Sequence, residues 1–205
     1  MQHISCNVTS TRVTHCCLSG LLFKDADRIT TFFYFQIVCD NRMLIRHAFT
    51  GWSGSTHDAR VLRQSSLYDI VEHSNKIGPN KYLIADSAYP LFEWLITPFR
   101  DNGRLNQGQR RFNRVLSSCR QVVKRCIGHL KGRFRRLRGI TLLILEDIVQ
   151  NIVSGCILHN LCVLRNDNVE RFTEEPDDDL NQYPNIFNPA QTGMDKRQQI
   201  VNNLP

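Results

Sequence analysis

The decapeptide KYLIADSAYP, residues 81–90, decides how this chain is read. Tyr82 to Ala85 is a short apolar run of the kind found in a strand whose sheet is covered on both faces. Asp86 stands at its carboxyl end, where open α/β sheets tend to place ligand chemistry. A polar break containing Gly78-Pro79 precedes the run, and Ser87-Ala88-Tyr89-Pro90 follows it. A buried strand that delivers a carboxylate at its exit points to an α/β domain.

Working outward, Thr31 to Cys39 (TFFYFQIVC) is dense in aromatic and β-branched residues and predicts a strand. A polar break follows, and Met43 to Gly51 reads as its hairpin partner. Next comes WSGSTHDARVLRQSSLY, with a turn at Ser53-Gly54-Ser55. Ser55 or Thr56 is the expected helix cap, and Asp58 falls in the first helical turn. Before residue 31 the signals are poor. Residues 3–13 hold enough β-branched side chains for one strand, whereas GLLFKDADR fits no period. PLFEWLITPF predicts a short amphipathic element ending before Pro98, and residues 100–110 a surface loop.

A long helix is expected next. Val115, Cys119, Val122, Cys126, Leu130, Phe134 and Leu137 form an apolar stripe, widened by Val123 and Ile127. Arg120, Lys124, Lys131, Arg135 and Arg138 lie on another face. Like charges four apart repel by a few tenths of a kcal/mol per pair, so a helix that carries several without acidic relief reads as a surface for an anion. Residues 110–138 contain eleven Lys or Arg and no acid, while the rest of the chain carries 15 basic against 19 acidic residues. The net charge of +7 is therefore concentrated in one place. A second helix is predicted over Glu146 to Leu161, where His159-Asn160 reads as structural. The polar, Asn- and Pro-rich segment 166–205 reads as a largely disordered tail.

Eight cysteines occur without a Cys-x-x-Cys pair, which argues for free thiols in a reduced, intracellular protein. Neither a signal peptide nor a membrane span is expected.

The segments FQIVCD, GWSGSTHDARVLRQSSLY, YLIADSAYPLFEWLITPF, RFNRVLSSCRQVVKRCIGHLKGRFRRLR and GCILHN occur in that order. Together they resemble the nuclease domain of the Harbinger (PIF) transposase and its domesticated relatives, within the DDE endonuclease superfamily. The resemblance covers roughly residues 34 to 162. It implies an RNase H-like fold, a mixed sheet flanked by helices, with the first strand region lacking or distorted. The division expected is an atypical segment 1–30, the nuclease-type domain 31–165 and the tail.

The resemblance also implies a divalent cation, Mg²⁺ or Mn²⁺, held by carboxylates from separate segments. Two ions about 4 Å apart activate a water and stabilise the leaving oxygen of a phosphodiester, and Mg²⁺ prefers oxygen ligands. Asp58 and Asp86 match two of the family's acidic positions and are the catalytic and metal-binding candidates. His57 and Tyr89 are expected to support them from behind. The family's helical Glu is Lys124 here, and its early Asp has no match: Asp25 and Asp27 stand too close to the FQIVCD strand. Lys124 is expected to pair with Asp86 or to contact phosphate.

Two readings follow, a metal-dependent DNA endonuclease with impaired catalysis and an inactive nuclease-like module that binds DNA or protein. For DNA, the candidate contacts are Arg120, Lys124, Arg125, Lys131, Arg133, Arg135, Arg136 and Arg138. The resemblance further implies a Myb/SANT-like DNA-binding partner and a nuclear location, with the cytoplasm as a second compartment.

Overall fold

The computed structural model describes residues 16–24, 32–53, 55–74, 77, 81–138, 144–167 and 190–204. Five strands form one mixed sheet: β1 (Cys16–Lys24), β2 (Phe32–Cys39), β3 (Ile45–Ser53), β4 (Leu83–Ile84) and β5 (Leu95–Ile96). Their order across the sheet is β3-β2-β1-β4-β5. The first two pairings are antiparallel and the last two parallel. The helices are α1 (Asp58–Gln64), α2 (Ser66–Ser74), α3 (Gln107–Arg133), α4 (Leu145–Leu164) and α5 (Gln191–Asn202), with a 3-10 turn at Arg135–Arg138 between α3 and α4.

The β2–β3 hairpin forms where the aromatic run predicts it, and one carboxylate organises its turn. Asp40 Oδ1 accepts from the Arg42 and Leu44 amides at 2.9 and 3.0 Å, while Oδ2 takes the Arg46 guanidinium at 2.6 Å. This network holds Met43 at a positive φ of 63°, a conformation that costs a non-glycine residue free energy.

β1 revises the reading of the N-terminal segment. It pairs with β2 from Cys17↔Cys39 to Lys24↔Phe32 and with β4 at Cys16↔Leu83 and Cys17↔Ile84, so a strand occupies the middle of the sheet. The strand expected at residues 3–13 and the acids Asp25 and Asp27 lie outside the described residues.

α3 begins with a capping box. Asn106 Oδ1 accepts from the Gln109 amide at 2.8 Å, and Gln109 Oε1 accepts from the Asn106 amide at 3.1 Å. This start lies ahead of the predicted stripe and shifts the buried face to Phe112, Leu116, Val123, Cys126, Ile127 and Leu130. Val115, expected inside, is 40% exposed. The helix ends at Arg133, and Leu137 returns to the core from the 3-10 turn. There Gly155 of α4 lets the chains close up, since a Cβ on it would meet Leu137 Cδ1 at 3.0 Å.

α4 lies on β3, α3 and the 3-10 turn, burying Ile148, Ile152, Cys156 and His159. His159 Nε2–H donates to the Met43 carbonyl at 2.9 Å. The Asn160 amide clamps Ile45, accepting from its N–H at 2.8 Å and donating to its C=O at 2.9 Å. By length and mean hydropathy alone α4 would suit a membrane span, a test that a core helix also passes. Its sheet-facing residues act as core, while Ile157, Leu158, Leu161 and Leu164 remain exposed.

α5 revises the expectation of a structureless tail. Gly193 sits against Phe92, where a Cβ would come within 2.9 Å of the backbone. Arg197 donates to the Thr97 and Pro98 carbonyls at 3.3 Å, with its guanidinium 3.8 Å from the Phe99 ring centre. Residues 168–189 lie outside the described ones.

Candidate nucleic-acid and cation site

Asp86 follows β4 at the carboxyl end of its strand, where the sequence places it. Its Oδ1 accepts from the Ala88 amide at 2.9 Å, which fixes the carboxylate against the turn. Its Oδ2 takes the Arg120 guanidinium from α3 at 3.3 Å, with both side chains about three-quarters covered. Burial raises the Asp86 carboxyl above its ordinary range, and Arg120 and the Ala88 amide partly oppose that rise.

Asp58 opens α1. Its N-cap is His57, whose side chain makes no capping hydrogen bond, so the caps expected from Ser55 or Thr56 do not form. Burial pushes the Asp58 carboxyl up to about 6; the Asp86 carboxylate adds to the rise, and a hydrogen bond from Tyr34 opposes it. The two candidate carboxylates are thus brought together closely enough to repel. His57 itself is exposed.

Tyr34 on β2 is a participant that the sequence reading missed. Its hydroxyl lies 2.9 Å from that of Tyr89, and both residues are buried. Because Tyr34 gives its proton to Asp58, Tyr89 must donate to Tyr34. The chain Tyr89→Tyr34→Asp58 therefore supports the carboxylate from behind. Burial, first of all, holds both phenols above their ordinary range. A tyrosine in an otherwise apolar strand run was the available signal, since a buried phenol needs a partner.

α3 supplies the positive side. Arg120 pairs with Asp86 rather than standing free for phosphate. Lys124, half buried, lies one turn later on the same flank, and Lys131 two turns beyond that. Arg125, Arg135 and Arg136 are exposed. Arg133 is engaged internally: its guanidinium holds the Asp167 side chain and carbonyl at the end of α4. Arg138 closes the 3-10 turn, and its side chain is not among those described.

The donor set bears directly on whether a divalent pair fits. Among the described residues no group of three or more His, Cys, Asp or Glu is placed to hold a metal ion. Two carboxylates meet, one of them already bound to a guanidinium, and β1, with the sequence CCLSGLLFK, brings no acid to the middle of the sheet. A site for two hard cations needs more oxygen ligands than this.

The structure is an α/β domain with a mixed sheet flanked by helices, in which two carboxylates meet beside a basic helix. The chain belongs to the DDE superfamily endonuclease family, whose model matches residues 25–160. The match extends to the Harbinger (HARBI1-like) nuclease family that the motifs resemble. The chain is 32% identical over 128 residues to "Putative nuclease HARBI1" of Rattus norvegicus, covering 61% of this chain and 36% of that protein. The Homo sapiens protein of the same name is 31% identical over 128 residues, with the same coverage. "Protein ALP1-like" of Arabidopsis thaliana is 28% identical over 140 residues, covering 62% of this chain and 34% of that protein. The chain thus spans about a third of the length of these relatives. No solved structure matches it.

Proposed function

We propose that this chain is an RNase H-like, transposase-derived module that binds DNA through the basic helix α3 and cleaves it poorly or not at all. The family match supports the nuclease-like frame, and the name of the HARBI1 relatives supports a nuclease ancestry. One observation carries the loss of activity: cationic groups stand where cation ligands are needed. Arg120 lies on Asp86 at 3.3 Å, and Lys124 occupies the position that the resemblance assigns to a metal-binding Glu. An ammonium supplies no lone pair to a metal ion, and neither side chain activates water as a bound cation would. The exposed Arg125, Arg135 and Arg136 offer phosphate contacts that position a duplex without reading its bases. In this reading the chain works in the nucleus beside a Myb/SANT-like partner that supplies sequence preference.

Plasmid cleavage in Mg²⁺ or Mn²⁺ by the chain and by Lys124→Glu tests the proposal. No cutting by the unmodified chain is expected. Metal-dependent nicking by that chain, abolished by Asp86→Ala, would establish the alternative of an active endonuclease.

A further inference from the structure

We infer that the groove between β3 and the first half of α4 takes a short extended peptide of a partner protein, one that carries a large apolar side chain flanked by Lys or Arg. This surface is independent of the DNA-binding reading: β2 and β1 separate β3 from β4, at whose end the carboxylates meet.

β3 stands at the edge of the sheet, with β2 as its one strand neighbour among the described residues. An edge presents a row of N–H and C=O groups that another chain can complete, and folded proteins ordinarily cover such a row or place charges along it. Here one end is covered. The Asn160 amide accepts from the Ile45 N–H and donates to its C=O, as a neighbouring strand would. From Ala48 to Trp52, among the described residues, no group outside β2 hydrogen-bonds to the main chain. This stretch, AFTGW, holds no charged residue and no proline. Gly51 is left unpaired between Phe35↔Thr50 and Tyr34↔Trp52, at a positive φ of 107°. The Asn160 clamp and this bulge confine the open edge to a few residues. That length suits main-chain pairing with a short extended segment and is too small for strand-to-strand association of two copies.

Beside the open edge lies a cavity of about 290 Å³, with apolar walls from Ala48, Trp52, Leu145, Val149 and Val153. Ligand pockets begin at roughly 300 Å³, so this one accommodates a single large side chain rather than a cofactor. Its rim is apolar as well, since Ile144 is 56% exposed and Leu145 41%. Glu146 lines the cavity, and no Lys or Arg does among the described residues. Asp147 is exposed next to it in the first turn of α4. The helix terminus offsets only about half a charge, so two carboxylates leave the mouth of the groove negative, in a chain whose net charge is +7. The volume selects an apolar anchor, and the charge selects a basic peptide around it.

The probe is a fluorescein-labelled peptide, Lys-Thr-Lys-Val-Leu-Val-Lys-Thr-Lys, compared with a counterpart in which every Lys is Glu. Each is titrated by anisotropy with the 205-residue chain and with its Leu145→Asp and Glu146→Lys variants, whose folding thermal melts confirm. The lysine peptide should bind, and the glutamate peptide should bind about tenfold more weakly, although the net charge of the chain favours the reverse. Replacing the central Leu of the peptide by Ala should cost on the order of tenfold. Leu145→Asp should cost a similar factor, and Glu146→Lys should remove the preference for the lysine peptide. Bound peptide should also slow hydrogen exchange of main-chain amides within Ala48–Trp52. Failure of both peptides to bind, equal or tighter binding of the glutamate peptide, wild-type affinity in Leu145→Asp, or unchanged exchange in that stretch would overturn the inference. A concentration-dependent dimer of the chain alone in sedimentation velocity, lost in Leu145→Asp, would give the groove to a second copy and overturn it as well.

Discussion

Replacing Asp58 by Asn should stabilise the protein, increasingly so as pH rises above about 4. The carboxyl is raised from its ordinary 3.8 to about 6 by burial and by Asp86. The folded state therefore binds the Asp58 proton more tightly than the unfolded chain does. Stability from this group is full below pH 4 and is lost as pH rises through 6. A gap from 3.8 to about 6, at about 1.4 kcal/mol per pH unit, gives an upper bound of about 3 kcal/mol. Asp58 retains some solvent contact, and screening reduces the expected gain to roughly 1–2 kcal/mol. Asn is nearly isosteric and still accepts the Tyr34 hydroxyl, so packing and the tyrosine pair survive the change. For a chain of this size the gain corresponds to a rise in Tm of roughly 2–8 °C. Urea and thermal unfolding at pH 5 and pH 8 are the assays. The gain of the Asn variant over wild type should be about twice as large at pH 8 as at pH 5, because by pH 5 the unfolded chain's carboxyl has already lost its proton while the folded one has not. An equal gain at both pH values, or a loss at pH 8, would show that the carboxylate pair is not under electrostatic strain.

Tyr34→Phe should act in the opposite sense. It removes the proton given to the Asp58 carboxylate and strands the Tyr89 hydroxyl, costing about 1–3 kcal/mol, with the larger loss at pH 8; the same unfolding curves report it. Asn160→Ala leaves both Ile45 backbone groups without partners and should cost about 2 kcal/mol, with faster hydrogen exchange at the Ile45 amide. Gly155→Ala forces a methyl against Leu137 at 3.0 Å and should destabilise by about 1–3 kcal/mol, read from the urea midpoint. DNA affinity should fall steeply between 50 and 300 mM salt, as release of counterions requires; a flat profile in a salt titration would remove the electrostatic basis for the basic helix.

What the sequence made legible follows from which physical signal each element needs. The β2–β3 hairpin announces itself because an aromatic, β-branched run meets a polar break whose Asp40 builds the turn. β4 and Asp86 were legible because a short apolar run between polar breaks suits a strand covered on both faces, and a carboxylate at its end falls where the sheet opens to solvent. β1 was not: a strand central to a covered sheet needs no alternation, so CCLSGLLFK offers no period to detect. α5 was missed for a different reason. Its apolar contacts with the core, Met194, Ile200, Val201 and Leu204, are few, only partly buried and set in a polar segment, while Gly193 and Arg197 add a hold that makes no stripe. At the site, spacing identified the residues of α3 as one positive surface and could not divide their work. The fold assigns Arg120 to Asp86 and Arg133 to Asp167, leaving Arg125, Arg135 and Arg136 exposed.

That division bears on how the folded domain carries its two neighbouring carboxylates. A buried carboxylate weakens a fold where no cation neutralises it, and the Asp58 carboxyl, pushed up to about 6 first by burial and then by Asp86, carries that cost. Arg120, paired with Asp86, offsets part of that cost without a bound ion. The core of β2, β3, α3 and α4, built from Phe35, Ile37, Ile45, Leu130 and Ile152, does not depend on the pocket for its packing. The packing of the domain is therefore separable from the charges gathered at the end of β4.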